Sequence, residues 1–295
     1  MIGILCDNGK VSMYAHLLFP FIKSFKKKAN AVVLFTIKGI DIKNKKVTGI
    51  IVDSSGIKKS IVTLPPVIFN FIYMERKNQV KTFESILSMN NIAIINEINR
   101  FNLLMIMQML SSSVKFSEFV LPYRLYNANA LKENGNLRHN VFIPLKSSNK
   151  LQALYDEIPS GVEKNALIKK RWIQIKTPSI RMYKSMPFVI RNYVQKGSDG
   201  AWLSLGKMAL QRDIFKNTDF MKLIREISVD MAVFIEKFIP GMGICYMDFI
   251  IDEYNNPYFV NFGGFDRNII LQQKDMIIIK YFLKNLFGYA FYLIG

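Results

Sequence analysis

One stretch constrains this chain more than any other. Residues 241–268, GMGICYMDFIIDEYNNPYFVNFGGFDRN, hold two apolar β-type runs on either side of a polar break at residues 252–257. Such runs flanking a turn-rich break read as a β-hairpin. A four-residue loop over residues 254–257 pairs Glu253 with Tyr258 and sets Asp248 opposite Gly263. Because side chains alternate along a strand, Asp248 and Asn261 then share one face of the sheet. Asp248 is thus a carboxylate in an apolar strand, and burying it is costly unless a cation or hydrogen-bond donors meet it. Two kinds of partner fit: a backbone amide or a lysine at a purely structural strand end, or a metal or ligand. The hairpin alone leaves both open.

The 295 residues are enough for two or three packed subdomains. Half of them are apolar and 21% are charged, the make-up of an ordered chain with a sizeable core. The net charge of +18 invites a nucleic-acid reading, yet the basic residues are dispersed among Ile and Asn. Clusters at Lys26-Lys27-Lys28, at residues 43–46 and at Lys169-Lys170-Arg171 are too short for a binding arm and read as solvated faces. The expectation is nonspecific attraction to polyanions and no specific nucleic-acid partner. Cys6 and Cys245 lack paired spacing and read as small buried hydrophobes in a reducing, cytoplasmic setting. His16 and His139 have no surrounding zinc or triad pattern. The opening MIGILCDNGK reads as a first strand and not as a signal peptide. The closing run MIIIKYFLKNLFGYAFYLIG is interrupted by Lys280 and Lys284, which argues for a closing helix or a peripheral membrane contact over a transmembrane segment.

In chain order, residues 2–6 form a strand, a helix follows through His16, Phe19, Phe21 and Phe25, and residues 31–37 form a second strand. That β-α-β order implies a parallel sheet. A hairpin over residues 46–52 and 56–63 comes next, then a proline-led strand in LPPVIFNFI, a helix over 79–89, a strand over 92–95 and a helix over 99–110. Farther on, a strand spans 171–175, a hairpin pairs 193–195 with 201–205 around Gly197-Ser198-Asp199-Gly200, and a helix runs over 220–238.

Asp248, Asp252, Pro257 and Tyr258 of the hairpin, Pro66 to Asn70, Ile95-Asn96, Trp202, and the run Pro187, Phe188, Val189, Ile190, Arg191 together resemble the YheC/YheD endospore coat-associated family of ATP-grasp proteins. The resemblance covers nearly the whole chain. It implies an α/β protein: an N-terminal parallel-sheet, pre-ATP-grasp-like domain (1–110), then a two-lobed ATP-grasp-like α+β module (small lobe 111–190, C-terminal lobe 191–295). It further implies ATP and Mg2+, with Asp248 as the first metal ligand. The family's Glu and Asn ligands fall on Asn261 and Gly263, and Asp266 or Asn268 would have to compensate. Arg191 is retained for phosphate, while Val189 stands where the family has Asp. Lys146 lies near the expected nucleotide lysine, followed by Ser147-Ser148-Asn149 in place of glycines. Gln174 falls where the interlobe strand meets adenine, and Leu210 replaces a family arginine, with Arg212 two residues on.

Two functions follow from the resemblance. One is an ATP-dependent carboxylate-amine or carboxylate-thiol ligase with weakened catalysis, binding a nucleotide and a carboxylate or peptide, with Arg191 and Lys146 stabilising phosphoryl charge. The other is a non-catalytic scaffold or peptide-binding protein associated with spore assembly, cytoplasmic or spore-bound, for which a homo-oligomer is compatible.

Overall fold

Four consecutive apolar residues without polar alternation, Ile2–Leu5 (β1), need cover on both faces of a sheet. In the computed structural model, which describes residues 1–24, 31–74, 77–126, 140–146, 154–155, 172–183, 186–205, 219–266, 268–271 and 276–295, they receive it. β1 lies inside a six-stranded sheet, parallel to β2 (Ala31–Asp41) on one side and to β5 (Val67–Asn70) on the other. Beyond β5 lies the parallel strand β6 (Ala93–Ile95). Helix α1 (Val11–Ser24) links β1 to β2 and packs over Ile2, Ile4, Val32, Leu34 and Phe69. Helix α2 (Lys77–Leu87) links β5 to β6 and packs over Leu5, Val33, Phe35, Ile68 and Ile94 on the opposite face. The expected hairpin is present as β3 (Lys46–Asp53) and β4 (Gly56–Thr63), extending the sheet antiparallel from β2. β2 runs to Asp41, past the expected end at residue 37, because Ile40 and Asp41 still pair with Val47 and Lys46.

Two smaller antiparallel sheets follow. The first, in order β7-β10-β8-β9, comprises β7 (Tyr123–Tyr126), β8 (Asn140–Pro144), β9 (Leu154–Tyr155) and β10 (Trp172–Lys176). A short pair, β11 (Met182–Tyr183) and β12 (Met186–Pro187), leads into the second. That sheet has the order β14-β13-β15-β16, from β13 (Val189–Lys196), β14 (Trp202–Ser204), β15 (Ile244–Ile251) and β16 (Pro257–Gly263).

Alternation divides the second sheet cleanly. Ile190, Val194, Met247 and Phe249 face a core filled by α3 (Leu103–Ser111) and α4 (Asp219–Glu236), which the small sheet joins through Ile143, Ile173 and Ile175. Tyr193, Ile244 and Tyr246 face the other way, into a core shared with β1, α1 and the last helix, α6 (Met276–Ile294), which follows the short α5 (Asn268–Leu271). The segment Ile277–Ile294 is long and apolar enough to cross a membrane by length and composition. Its Phe282, Leu283, Leu286 and Phe287 are buried in that shared core, so it closes the fold. The architecture is the expected α/β arrangement of a parallel-sheet domain followed by two α+β lobes.

Helix α3 starts at Leu103, not at residue 99. Asn102 caps it by accepting from the Leu104 amide at 3.1 Å, and Asn99 is committed to a different network.

Candidate functional site

The hairpin forms, with a register different from the expected one. Ile251 pairs with Pro257, so the loop is residues 252–256 and Glu253 and Tyr258 are not partners. Asp252 ends the strand. Its Oδ1 accepts from the amides of Tyr254 (2.9 Å) and Asn256 (2.7 Å), its Oδ2 accepts from Asn256 Nδ2 (2.8 Å), and Asn255 turns the chain at φ 71°. Small polar side chains that bond their own loop backbone favour such turns over strand continuation. Continuing the Ile251–Pro257 pairing would bring Val260 opposite Asp248. A bulge between Asp248 and Phe249 absorbs one residue, so Asn261 lies opposite Asp248 and Tyr246 lies opposite Gly263. Asp248 and Asn261 therefore do share a face, as direct partners.

On the other side Asp248 pairs with Arg191, making a row of three across β13, β15 and β16. Arg191 Nε donates to Asp248 Oδ1 and Nη2 donates to Asp248 Oδ2, each at 2.7 Å. This is the bidentate geometry that makes arginine–carboxylate pairs strong and directional. Asn261 Nδ2 donates to Asp248 Oδ2 at 2.8 Å. The third arm of the guanidinium, Nη1, donates to Asp266 Oδ2 at 2.8 Å, and the Tyr193 hydroxyl donates to that same oxygen at 2.7 Å. Arg191 lies 4.1 Å from the centroid of the Tyr246 ring, a cation–π contact. Arg191 is 1% exposed, Asp248 0% and Asp266 1%, so solvent contributes almost nothing to this balance. Burial by itself would lower the Arg191 pKa, but the facing Asp248 carboxylate outweighs it and holds the pKa well above the ordinary value. Burial, with Asp266 alongside, pushes the Tyr193 hydroxyl up.

Gly263 has no side chain, and a Cβ there would run into the Tyr246 ring. Val189, where the resemblance has Asp, is buried in the apolar core with Phe188 and Ile190. Gln174 is buried on β10, and its Oε1 accepts from Arg124 Nε at 2.7 Å. β10 is paired on both sides, with β7 and β8, so its backbone is already committed to the sheet. Lys146 follows β8 with an exposed side chain, and its backbone bridges to Asn102 at the start of α3. Residues 147–149, Leu210, Arg212, His139 and the side chain of Asn268 lie outside the described residues. Among the described residues, no group of three or more His, Cys, Asp or Glu side chains is placed to hold a metal ion.

The structure thus brings Arg191, Asp248 and Asn261 together and places neither Lys146 nor Gln174 among them. Tyr193, Tyr246 and, as an arginine partner, Asp266 join the centre without having been singled out for that role by the sequence. Tyr193 and Tyr246 carry a weak signal in retrospect, being polar-tipped residues two positions from Arg191 and Asp248 and therefore on the same strand face.

A second buried polar network lies between the parallel sheet and this hairpin. Asn96 Oδ1 accepts from the amides of Gly243 (3.0 Å) and Ile244 (2.9 Å), and its Nδ2 donates to Ile244 O (2.7 Å) and Asn99 Oδ1 (3.0 Å). Asn99 Nδ2 donates to the carbonyls of Asn70 (2.7 Å) and Ile72 (3.1 Å), while its Oδ1 accepts from the Phe265 amide (2.8 Å). Asn70 Nδ2 donates to Asn96 O at 2.9 Å. Phe71 stacks on Phe265 at 3.7 Å beside it.

No family model and no curated protein matches this chain. Solved structures do. The D-alanine-D-alanine ligase of Helicobacter pylori superposes with a TM-score of 0.56 at 14% identity, covering 97% of each chain. A RimK domain ATP-grasp protein of Sphaerobacter thermophilus gives 0.55 at 11% identity, covering 100% of this chain and 99% of that one. The ATP-grasp ligase PsnB, complexed with precursor peptide PsnA2 and AMPPNP, gives 0.52 at 8% identity over 97% of each. At such low identity the agreement speaks for architecture alone, and over the full length of the chain that architecture is the ATP-grasp fold.

Proposed function

We propose that this chain is an ATP-grasp protein of the YheC/YheD type whose carboxylate centre serves the fold instead of a catalytic metal. On this reading, ligase chemistry is weakened or lost and the molecule acts as a binding or scaffolding protein. The observation that carries it is the bidentate clamp of Arg191 on Asp248. Magnesium takes an octahedral shell of oxygens, with carboxylates supplying most of the charge. At the first of the three ligand positions implied by the resemblance, both Asp248 oxygens accept from a guanidinium. At the second, Asn261 turns its Nδ2 to Asp248 and brings no charge. At the third, Gly263 offers no donor, and Tyr246 fills the space a side chain would need. As arranged, these residues do not fit a divalent cation, and Arg191 supplies the positive charge itself. The same arginine is engaged by Asp266, so it is not presented to a phosphate.

The ligase reading rests on the retention of Arg191 and Asp248 at the positions where the family has them. It requires Arg191 to release Asp248 to a metal and turn to the phosphate, with Lys146 and Gln174 contributing to nucleotide binding and a carboxylate or peptide as acceptor. In either reading the working units are 1–110, 111–190 and 191–295. The two buried free cysteines suit a reducing cytoplasm, and spore association comes with the family resemblance. Calorimetric titration with ATP, with and without magnesium, separates the readings. The scaffold reading expects no magnesium-dependent heat and no ATP turnover; magnesium-dependent binding with phosphate release overturns it in favour of the ligase.

A further inference from the structure

The parallel sheet carries a candidate site of its own. From β1 the chain passes over one face through α1 to β2, and from β5 it passes over the other face through α2 to β6, so the connections diverge between neighbouring strands β1 and β5. In open α/β sheets such a divergence opens a crevice outside the carboxyl ends of the two strands, where ligands bind. Here that end of the sheet holds a crevice of about 410 Å³, within the size range of small-molecule sites. None of its lining residues comes from β13 to β16, so it is separate from the carboxylate centre.

Its chemistry is two-signed. Asp7 enters from the turn after β1, fixed by the Lys10 amide donating to the Asp7 carbonyl at 3.1 Å, and Lys38 enters from β2. Asn78 and Gln79 bring the first turn of α2, which contains no acidic residue and so keeps the positive end of its dipole uncompensated from within the turn. Tyr73 and Thr82 add hydroxyls, and Tyr73 is held in place by its hydrogen bond to the Phe265 carbonyl at 3.1 Å. A carboxylate, an ammonium and a helix start converging on one small crevice suit a ligand that carries both charges.

We propose that this crevice binds a free α-amino acid. Its ammonium group is met by Asp7 and its carboxylate by Lys38 and the first turn of α2, while Asn78, Thr82 and Tyr73 contact the remainder. The proposal stands independently of how the carboxylate centre is read.

The test titrates the full chain with each of the twenty L-α-amino acids singly, and with ethylamine and inorganic phosphate as one-charge controls, by calorimetry. At least one amino acid is expected to bind saturably, and more tightly than either control. Asp7→Asn and Lys38→Met are each expected to weaken that binding about tenfold or more, the loss of one charge-assisted hydrogen bond. Because both residues lie at the surface end of the sheet, the unliganded melting temperature should stay unchanged. Binding by none of the twenty overturns the proposal, as does binding that survives both substitutions, or a control that binds as tightly.

Discussion

The two buried polar networks solve opposite problems. The Asn70–Asn96–Asn99 network joins the parallel sheet to β15 and to the loop after β16 with amides alone, each donating and accepting in the same plane. It carries no charge, so it owes nothing to pH or to ions, and it fixes backbone against backbone. The Arg191 centre joins β13, β15, β16 and the loop after β16 with charges, one guanidinium between two carboxylates. There the protein supplies from within the cation that the resemblance would draw from solution. Removing one member of a neutral network forfeits hydrogen bonds, whereas removing the cation of a charged one strands the rest.

The sharpest way to break this contrast is Arg191→Met, which leaves Asp248 and Asp266 buried without their guanidinium. A loss of about 3–5 kcal/mol is expected in urea denaturation. Millimolar magnesium should restore none of it. Restoration would mean that the carboxylates are ligands waiting for a metal, and the scaffold reading would fall. Asn96→Ala comes next, at about 2–4 kcal/mol, since it removes several buried hydrogen bonds of roughly 1 kcal/mol each. Asn96 sits at φ 62°, where alanine is strained, so Asn96→Gly should recover about 1 kcal/mol of that loss by relieving the backbone alone. Equal losses in the two variants would show that the backbone strain is unimportant.

Tyr193→Phe removes one hydrogen bond to a carboxylate and should cost about 1.5–3 kcal/mol. Its signature is in the pH profile. The Tyr193 pKa is raised above its model value of 10.0, chiefly by burial. As pH climbs through that value the unfolded chain releases its proton first, so stability is fully present below pH 10 and is lost above it. Buried Cys6 and Cys245, both shifted up from 9.0, begin the decline earlier by the same logic. Tyr193→Phe should therefore flatten the alkaline limb, while Asn96→Ala lowers the whole curve without changing its shape. Parallel curves for the two would erase the distinction between a charged and a neutral network. Smallest of all is Lys146→Ala, within about 0.5 kcal/mol in stability because the side chain is exposed.

Local patterns were enough for the hairpin, the β-α-β start, the proline-led strand β5 and the closing helix, because hydrophobic runs and turn residues act over a few neighbours. They were enough, too, to put Asp248 and Asn261 on one face and to single out Arg191. They did not reveal that Asp252 would cap its own loop and end the strand early, or that a bulge would then restore the facing of Asn261. The partner of Asp248 was equally hidden. Whether a buried carboxylate meets a metal, a lysine or an arginine depends on which strand lies alongside, and Arg191 is 57 residues away in the chain. Asp266 reaches the same guanidinium from a loop, and Asn99 leaves its helix to bond the Phe265 amide, choices that propensity does not encode. The sequence determined which elements exist and which side chains look inward, since those follow from periodicity. Only the tertiary structure decided which charges meet, because that depends on distances between segments remote in the chain.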